Sequence, residues 1–225
     1  MAFMAVVVNA QTQYEKATFA GGCFWCIQPP FEKLDGVIQV VSGYTGGTGD
    51  KPTYEDYAQK GHIEAVQITY DPSKISYFQL LDVLWMQIDP TDPRGQFVDR
   101  GPQYRSAIFF HNEEQKKQAE KSKEDLGKSG MFDKPIVTEI IKASAFYKAE
   151  DYHQDYYKKD PINYRAYRSG SGRDQFLKKA WAGEVRGTKA DMGKAGMASG
   201  MTGGAFGENF TTLGLLETTA CRITA

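Results

Sequence analysis

The sequence predicts a two-layer domain of mixed α and β structure, and three observations carry that expectation. Short strand-like runs alternate with helix-patterned segments between Tyr14 and Lys142. The stretch from Asn112 to about Lys128 is loaded with Glu and Lys, which marks a helix laid on the outside of a domain. With 225 residues at 41% hydrophobic content, the chain is long and apolar enough to bury one sizeable core plus an appendage.

Taken in order, Ala2–Val8 is apolar and is followed by Asn9-Ala10-Gln11. This resembles the end of an export signal without its basic start, so residues 1–13 are read as a leader remnant or a disordered start. The compartment is open between cytoplasmic and, on the signal reading, exported. Tyr14–Ala20 alternates as a strand, and the paired glycines Gly21-Gly22 let the backbone turn sharply. A helix is expected from Cys23 to Leu34, with Pro29-Pro30 kinking or restarting it and Asp35-Gly36 ending it. Val37–Tyr44 is a β-branched strand, and Thr45–Pro52 is a glycine-rich loop without phosphate-loop spacing. A short helix Tyr54–Lys60, a strand Ile63–Tyr70 and an amphipathic helix Ser76–Met86 follow. The punctuated loop Asp89–Gly101 has a length more often functional than idle. Then come a strand Ser106–Phe110, the Asn112-capped charged helix, a strand Ile136–Lys142, and short helices Glu150–Lys158 and Asp174–Trp181. Residues 14–181 thus form the domain, and 182–225 read as an irregular Gly/Met-rich tail carrying Cys221.

A formal charge of -1, from 27 basic and 28 acidic residues, gives no electrostatic case for nucleic acid or an anionic membrane. No apolar run is long enough to span a bilayer. Three cysteines are too few for a disulfide-built scaffold, which favours redox-active thiols.

Cys23 falls where a helix begins, and the unpaired N–H groups and dipole there favour an anion. Such a position can bring a cysteine from ~8.5 into the range ~3.5–7.5. Cys26 lies one turn on, within reach of a disulfide. Three other readings stand beside a nucleophile with a partner thiol. Zinc needs four ligands, and Cys221, His62, His111 and His153 are scattered. Thioredoxin-like thiol-disulfide exchange uses the same strand–turn–CxxC arrangement. Inert packing is the third, against which the Phe24-Trp25 pair between the thiols argues.

Glu64 and Tyr54 flank the start of one strand. A buried glutamic acid beside a thiolate keeps its proton at neutral pH and can serve as a general acid; the bland reading is a polar residue at a strand edge. Tyr104 can donate to a substrate oxygen, with Asp99 orienting its neighbours, or both can be packing and surface residues. The three histidines are read as structural, and Tyr147, Tyr152, Tyr156, Tyr157, Tyr164 and Tyr167 as packing and rim.

Together, GGCFWC at 21–26, GYTGG at 43–47, PTY at 52–54, GHIEAV at 61–66 and DRGPQYRSAIFF at 99–110 resemble the A-type peptide methionine sulfoxide reductase family. KPIVTEI at 134–140, AEDYHQDYYKKDP at 149–161 and GSGRDQF at 170–176 extend the likeness over roughly residues 15–181. The resemblance implies an α+β, two-layer ferredoxin-like core with a mixed sheet and extra helices. It implies reduction of the S epimer of methionine sulfoxide, free or peptide-bound, without a cofactor or metal. It also implies roles: Cys23 as nucleophile, Glu64 as acid, Tyr54 and Tyr104 holding the oxygen, Asp99 supporting the pocket, Phe24 and Trp25 walling the S-methyl group. A second thiol, Cys26 or Cys221, would condense with the Cys23 sulfenic acid, and thioredoxin would reduce the disulfide. A monomer is expected, and thioredoxin-like exchange is the alternative activity.

Overall fold

The computed structural model describes residues 13–182. The leader reading, the tail and Cys221 lie outside the described residues. Four strands and two helices make the core. They are β1 (Glu15–Gly21), α1 (Phe24–Glu32), β2 (Val37–Thr45), β3 (Ile63–Tyr70), α2 (Tyr77–Trp85) and, after the hairpin β4 (Gly95–Gln96)–β5 (Asp99–Arg100), β6 (Ser106–Phe110). Their order across the sheet is β6-β1-β3-β2, all antiparallel, which is the ferredoxin-like arrangement. After the outer helix α3 (Glu113–Lys128), β7 (Glu139–Lys142) adds to β6 in parallel and β8 (Phe146–Lys148) adds to β2 antiparallel. The sheet is therefore mixed. Three more helices follow: α4 (Tyr156–Lys159), α5 (Pro161–Gly170) and α6 (Arg173–Ala180).

Both sheet faces are covered, so β1 is buried without alternation from Ala17 to Gly21. On one face Phe19 packs its ring against Phe31 of α1 and Tyr77 of α2, at 5.6 and 5.9 Å. On the other, Ala20, Ile63, Ala65, Ala107 and Phe109 form a cluster closed by Ile141, Ala143 and Phe146. Ser76 starts α2 with a reciprocal cap to Gln79, and the Asn112 side chain accepts from the Gln115 N–H at the start of α3. Only Gln115, Ala119, Ser122 and Leu126 of α3 are buried, a stripe that meets Trp85 through its indole bond to Ser122. None of the described helices is long and apolar enough to cross a membrane.

The structure corrects several sequence expectations. α1 runs unbroken through Pro29 and Pro30. Proline at position 30 withdraws the N–H that the Cys26 carbonyl would accept, and Arg168 Nη1 donates to that carbonyl instead at 3.0 Å. Residues 54–60 are turns rather than a helix, because the Thr53 N–H bonds the Asp56 side chain and the left-handed Gly61 ends the run. The helix expected over 150–158 shrinks to α4, since Asp155 is left-handed at φ 54° and gives its N–H to Gln28. Just before it, the Gln154 side chain bonds both Ser42 N–H and Ser42 C=O, replacing a strand partner. β7 starts at Glu139 rather than 136, and α5 and β8 had no clear sequence signal.

Gly22 sits at φ +82°, where an added Cβ would lie 2.6 Å from Gln96 Cβ and 2.9 Å from Arg173 Nη2. Gly22→Ala is expected to destabilise the fold by about 2–4 kcal/mol, combining left-handed strain with overpacking. Thermal unfolding checks this; a melting temperature equal to wild type would show that the turn has slack.

Candidate active site

The turn from β1 into α1 places Cys23 at the helix N-cap, but its side chain caps nothing. The first orphan N–H, that of Phe24, instead donates to Oε2 of Glu64 on β3 at 3.0 Å. Glu64 reaches it because Glu64 pairs with Tyr44 in the β2–β3 register and is buried to 2% exposure. Its other oxygen, Oε1, accepts from the Tyr57 hydroxyl at 3.0 Å, and Tyr57 is in turn hydrogen-bonded to Tyr104. Burial pushes the Glu64 carboxyl up to about 8, against the two donors, which pull it down. At neutral pH it is a carboxylic acid beside a thiol.

Cys23 and Cys26 are buried free thiols one helical turn apart, and Cys23 hydrogen-bonds to Cys26. The expected helix-dipole depression does not fall on Cys23. Burial, the bond to Cys26 and the neighbouring Glu64 hold its thiol well above the ordinary cysteine range. The leading N–H of the helix is already engaged by Glu64. Cys26 is the low one, brought to about 7 by the bond from Cys23 and by the guanidiniums of Arg173 and Arg168. The pair carries its first negative charge on Cys26.

Aromatic rings frame this centre. Trp25 stacks on Tyr156 at 3.9 Å and 15°, meets Tyr167 edge-on at 5.8 Å, and donates its indole N–H to His153 Nδ1 at 3.1 Å. Accepting at Nδ1 puts the neutral imidazole's proton on Nε2. Burial lowers the His153 pKa and favours that neutral form. His153 also lies 4.9 Å from the Phe24 ring and 4.7 Å from that of Tyr54. Glu150 ties the rim down, accepting from the Tyr44 hydroxyl and the Tyr54 N–H at 2.8 and 2.9 Å.

The residues singled out from the sequence converge, with distinctions. Cys23, Cys26, Phe24 and Glu64 are deeply buried, while Tyr54, at 42% exposure, stands at the mouth. Asp99 accepts the Tyr167 hydroxyl at 2.6 and 2.7 Å, and that same hydroxyl is hydrogen-bonded to Cys23. Sequence reasoning missed Tyr57, Tyr167 and His153. Tyr156, read as packing and rim, packs on Trp25, whereas Tyr167, read the same way, is hydrogen-bonded to Cys23. The only available signal was their location in the tyrosine-rich block after residue 146, which no periodicity resolves. His62 is structural, accepting from Gly47 N–H through Nδ1. Among the described residues no three His, Cys, Asp or Glu side chains are grouped to hold a metal ion.

Glu64 binds its proton more tightly folded than unfolded, where its ordinary value is 4.5. Its contribution to stability is therefore full below about pH 4.5 and is lost as pH rises through about 8. Glu64→Gln should be more stable than wild type at pH 9 by a few kcal/mol, at about 1.4 kcal/mol per pH unit. The advantage should vanish toward pH 4. Denaturant titrations of both proteins across that range test it, and a difference that ignores pH would mark Glu64 as an ordinary carboxylate.

The chain matches the family model for peptide methionine sulfoxide reductase over residues 15–185. It is 57% identical over 169 residues to the peptide methionine sulfoxide reductase MsrA of Bacillus licheniformis, covering 74% of this chain and 93% of that protein. The MsrA of Listeria monocytogenes is likewise 57% identical, over 171 residues, with 75% and 97% covered. Among solved structures, reduced Mxr1 from Saccharomyces cerevisiae superposes with a TM-score of 0.62 at 31% identity, over 66% of this chain and 87% of that one. Methionine sulfoxide reductase A of Corynebacterium diphtheriae gives 0.59 at 30%, over 68% and 78%. With the ferredoxin-like core and a protonated carboxyl set against a thiol pair, these matches establish that the chain belongs to the peptide methionine sulfoxide reductase family.

Proposed function

We propose that the site reduces the S epimer of methionine sulfoxide, free or within polypeptides, with Cys23 as nucleophile and Glu64 as acid. The observation that carries the reading is a carboxyl that keeps its proton to about pH 8 and is bonded to the N–H next to Cys23. Oxide is a prohibitive leaving group, and a protonated oxygen is not, so the reaction needs such an acid. A simple thiol-disulfide exchanger would have no use for it.

The Cys23 thiol gives its proton to Cys26 through their hydrogen bond, which leaves Cys23 as thiolate. Its sulfur attacks the sulfoxide sulfur while Glu64 protonates the oxygen. The hydroxyl passes to Cys23, the substrate S–O bond breaks, and methionine leaves Cys23 as sulfenic acid. Tyr54 and Tyr104 hold the oxygen, and Asp99 acts through Tyr167. Phe24 and Trp25 wall the S-methyl group, Trp25 braced by Tyr156 and His153. The R epimer would exchange oxygen and methyl, setting the methyl against Glu64 and the oxygen against the indole face. Cys26 then condenses with the sulfenic acid, releasing water and forming a Cys23–Cys26 disulfide. Thioredoxin is the proposed dithiol donor that reopens it.

Mixing the reduced protein with peptides carrying separated S and R methionine sulfoxide, and following oxygen loss by mass spectrometry, tests the reading. Only the S epimer should turn over. Cys23→Ser should abolish the reaction, and Glu64→Gln should slow it about 10²–10⁴-fold, the usual worth of a positioned acid. Equal turnover of both epimers, or an unimpaired Glu64→Gln, would reject the assignment.

A further inference from the structure

Arg173 is an unusual group to find inside this domain. Its side chain is 1% exposed, and among the described residues it has no carboxylate partner. Its Nη2 donates to the Gly21 carbonyl at 3.0 Å, its Nη1 to the Gln87 carbonyl, and its guanidinium carbon lies 4.6 Å over the Phe97 ring. Its Nε is buried without a hydrogen-bond partner among the described residues. Two carbonyls and an aromatic face do not neutralise a buried cation, which normally demands an anion. Arg168 approaches the same turn from α5, donating to the Cys26 carbonyl that Pro30 leaves unpaired, but it is already paired with Asp174 at 2.8 Å. Both guanidiniums thus hold backbone carbonyls of the β1–α1 turn region, Gly21 and Cys26, where the anionic group within their electrostatic reach is the Cys26 thiolate.

We infer that Arg173, assisted by Arg168, is a positioning residue of the reductase cycle: its buried charge holds the negative charge on Cys26 and thereby makes Cys26 the thiol that resolves the Cys23 sulfenic acid. The inference rests on the proposed function above and adds the origin of its second step. In that step Cys26 gives up the proton it took from Cys23 to the Glu64 carboxylate left by the first step, and its sulfur, as thiolate, attacks Cys23 sulfur to form the S–S bond. The Cys23 S–O bond breaks, and the departing hydroxide takes that proton from Glu64 and leaves as water. No external oxidant or reductant enters.

The ionisable groups that act on Cys26 come from five elements. Cys23 lies in its own turn, Glu64 on β3, Asp99 on β5, Tyr164 and Arg168 on α5, and Arg173 on α6. Asp99 and burial oppose a charge on Cys26, and protonated Glu64 is neutral. Cys23 and the two arginines favour it. Once Cys23 has become a sulfenic acid it is no longer the thiol that donates to Cys26, so the arginines carry the charge stabilisation when resolution occurs.

The test is a rapid-quench first turnover of the reduced full-length protein with a methionine sulfoxide peptide between pH 6 and 9. Cys23 sulfenic acid is trapped with dimedone, and the Cys23–Cys26 disulfide is counted by mass spectrometry. Wild type should form the disulfide with a pH midpoint below the ordinary cysteine range of ~8.5. Arg173→Gln and Arg168→Gln should each still give the methionine of the first step, more slowly at pH 7 because less Cys26 is thiolate to take the Cys23 proton. They should accumulate sulfenic acid, because the second step has also lost the Cys23 thiol as a donor. Their disulfide formation should be about tenfold slower at pH 7 and should recover about one pH unit higher. Arg173→Lys, which keeps the charge, should restore the wild-type pH profile. If Arg173→Gln gives no first-step methionine because it does not fold, Arg168→Gln, whose side chain is 17% exposed, decides the outcome. Gln variants with an unmoved pH midpoint, or a Lys variant as slow as Gln at every pH, would overturn the arginine assignment alone. A wild-type disulfide joining Cys23 to Cys221 would overturn it together with the reading of Cys26.

Discussion

The site depends on one hydrogen bond, from the Phe24 N–H at the start of α1 to the Glu64 carboxyl on β3. A helix beginning at a cysteine with no capping side chain leaves its first amide unsatisfied. Supplying that acceptor from a neighbouring strand joins a nucleophile candidate and an acid candidate 41 positions apart in one buried contact. The same bond uses the helix's leading donor, so the stabilisation expected for a Cys23 thiolate goes partly to Glu64. Acid and thiol are coupled through a single amide.

Buried charge is the second theme. A dry site makes every ionisation expensive, and the fold distributes that cost unevenly among its groups. Glu64 answers it by staying protonated, and Cys23 by staying a thiol. Cys26 answers it by accepting the bond from Cys23 and by the charge of two nearby guanidiniums. The CxxC turn therefore holds two thiols of opposite tendency, although they are chemically identical and one turn apart. The hydrogen bond between them sets the direction, Cys23 donating and Cys26 accepting, and the arginines of α5 and α6, which enter the site only through tertiary packing, reinforce it.

The segment after β7 contributes more to the site than its irregular sequence suggests. Gln154 pairs with the open edge of β2, Asp155 turns left-handed to meet Gln28, and His153 and Tyr156 are thereby set against Trp25. α5 then delivers Tyr167 to Cys23 and Arg168 to the carbonyl that Pro30 orphans. The double proline inside α1 is tolerated because a side chain from elsewhere supplies a missing donor.

The sequence by itself determined the alternating core elements, the cap residues Ser76 and Asn112, and the motif blocks that single out Cys23, Glu64, Tyr104 and Asp99. These are local signals, carried by periodicity, capping chemistry and spacing. It also sufficed for the resemblance to the reductase family. Only the tertiary structure decided the rest. It kept α1 continuous through two prolines, turned Asp155 left-handed, and brought Tyr57, His153 and Tyr167 to the centre from segments with no repeating pattern. It also tuned the charge balance of the cysteine pair. A pKa is set by burial, hydrogen bonds and charges brought near in space, and Arg173, which lowers Cys26, is 147 positions from it along the chain.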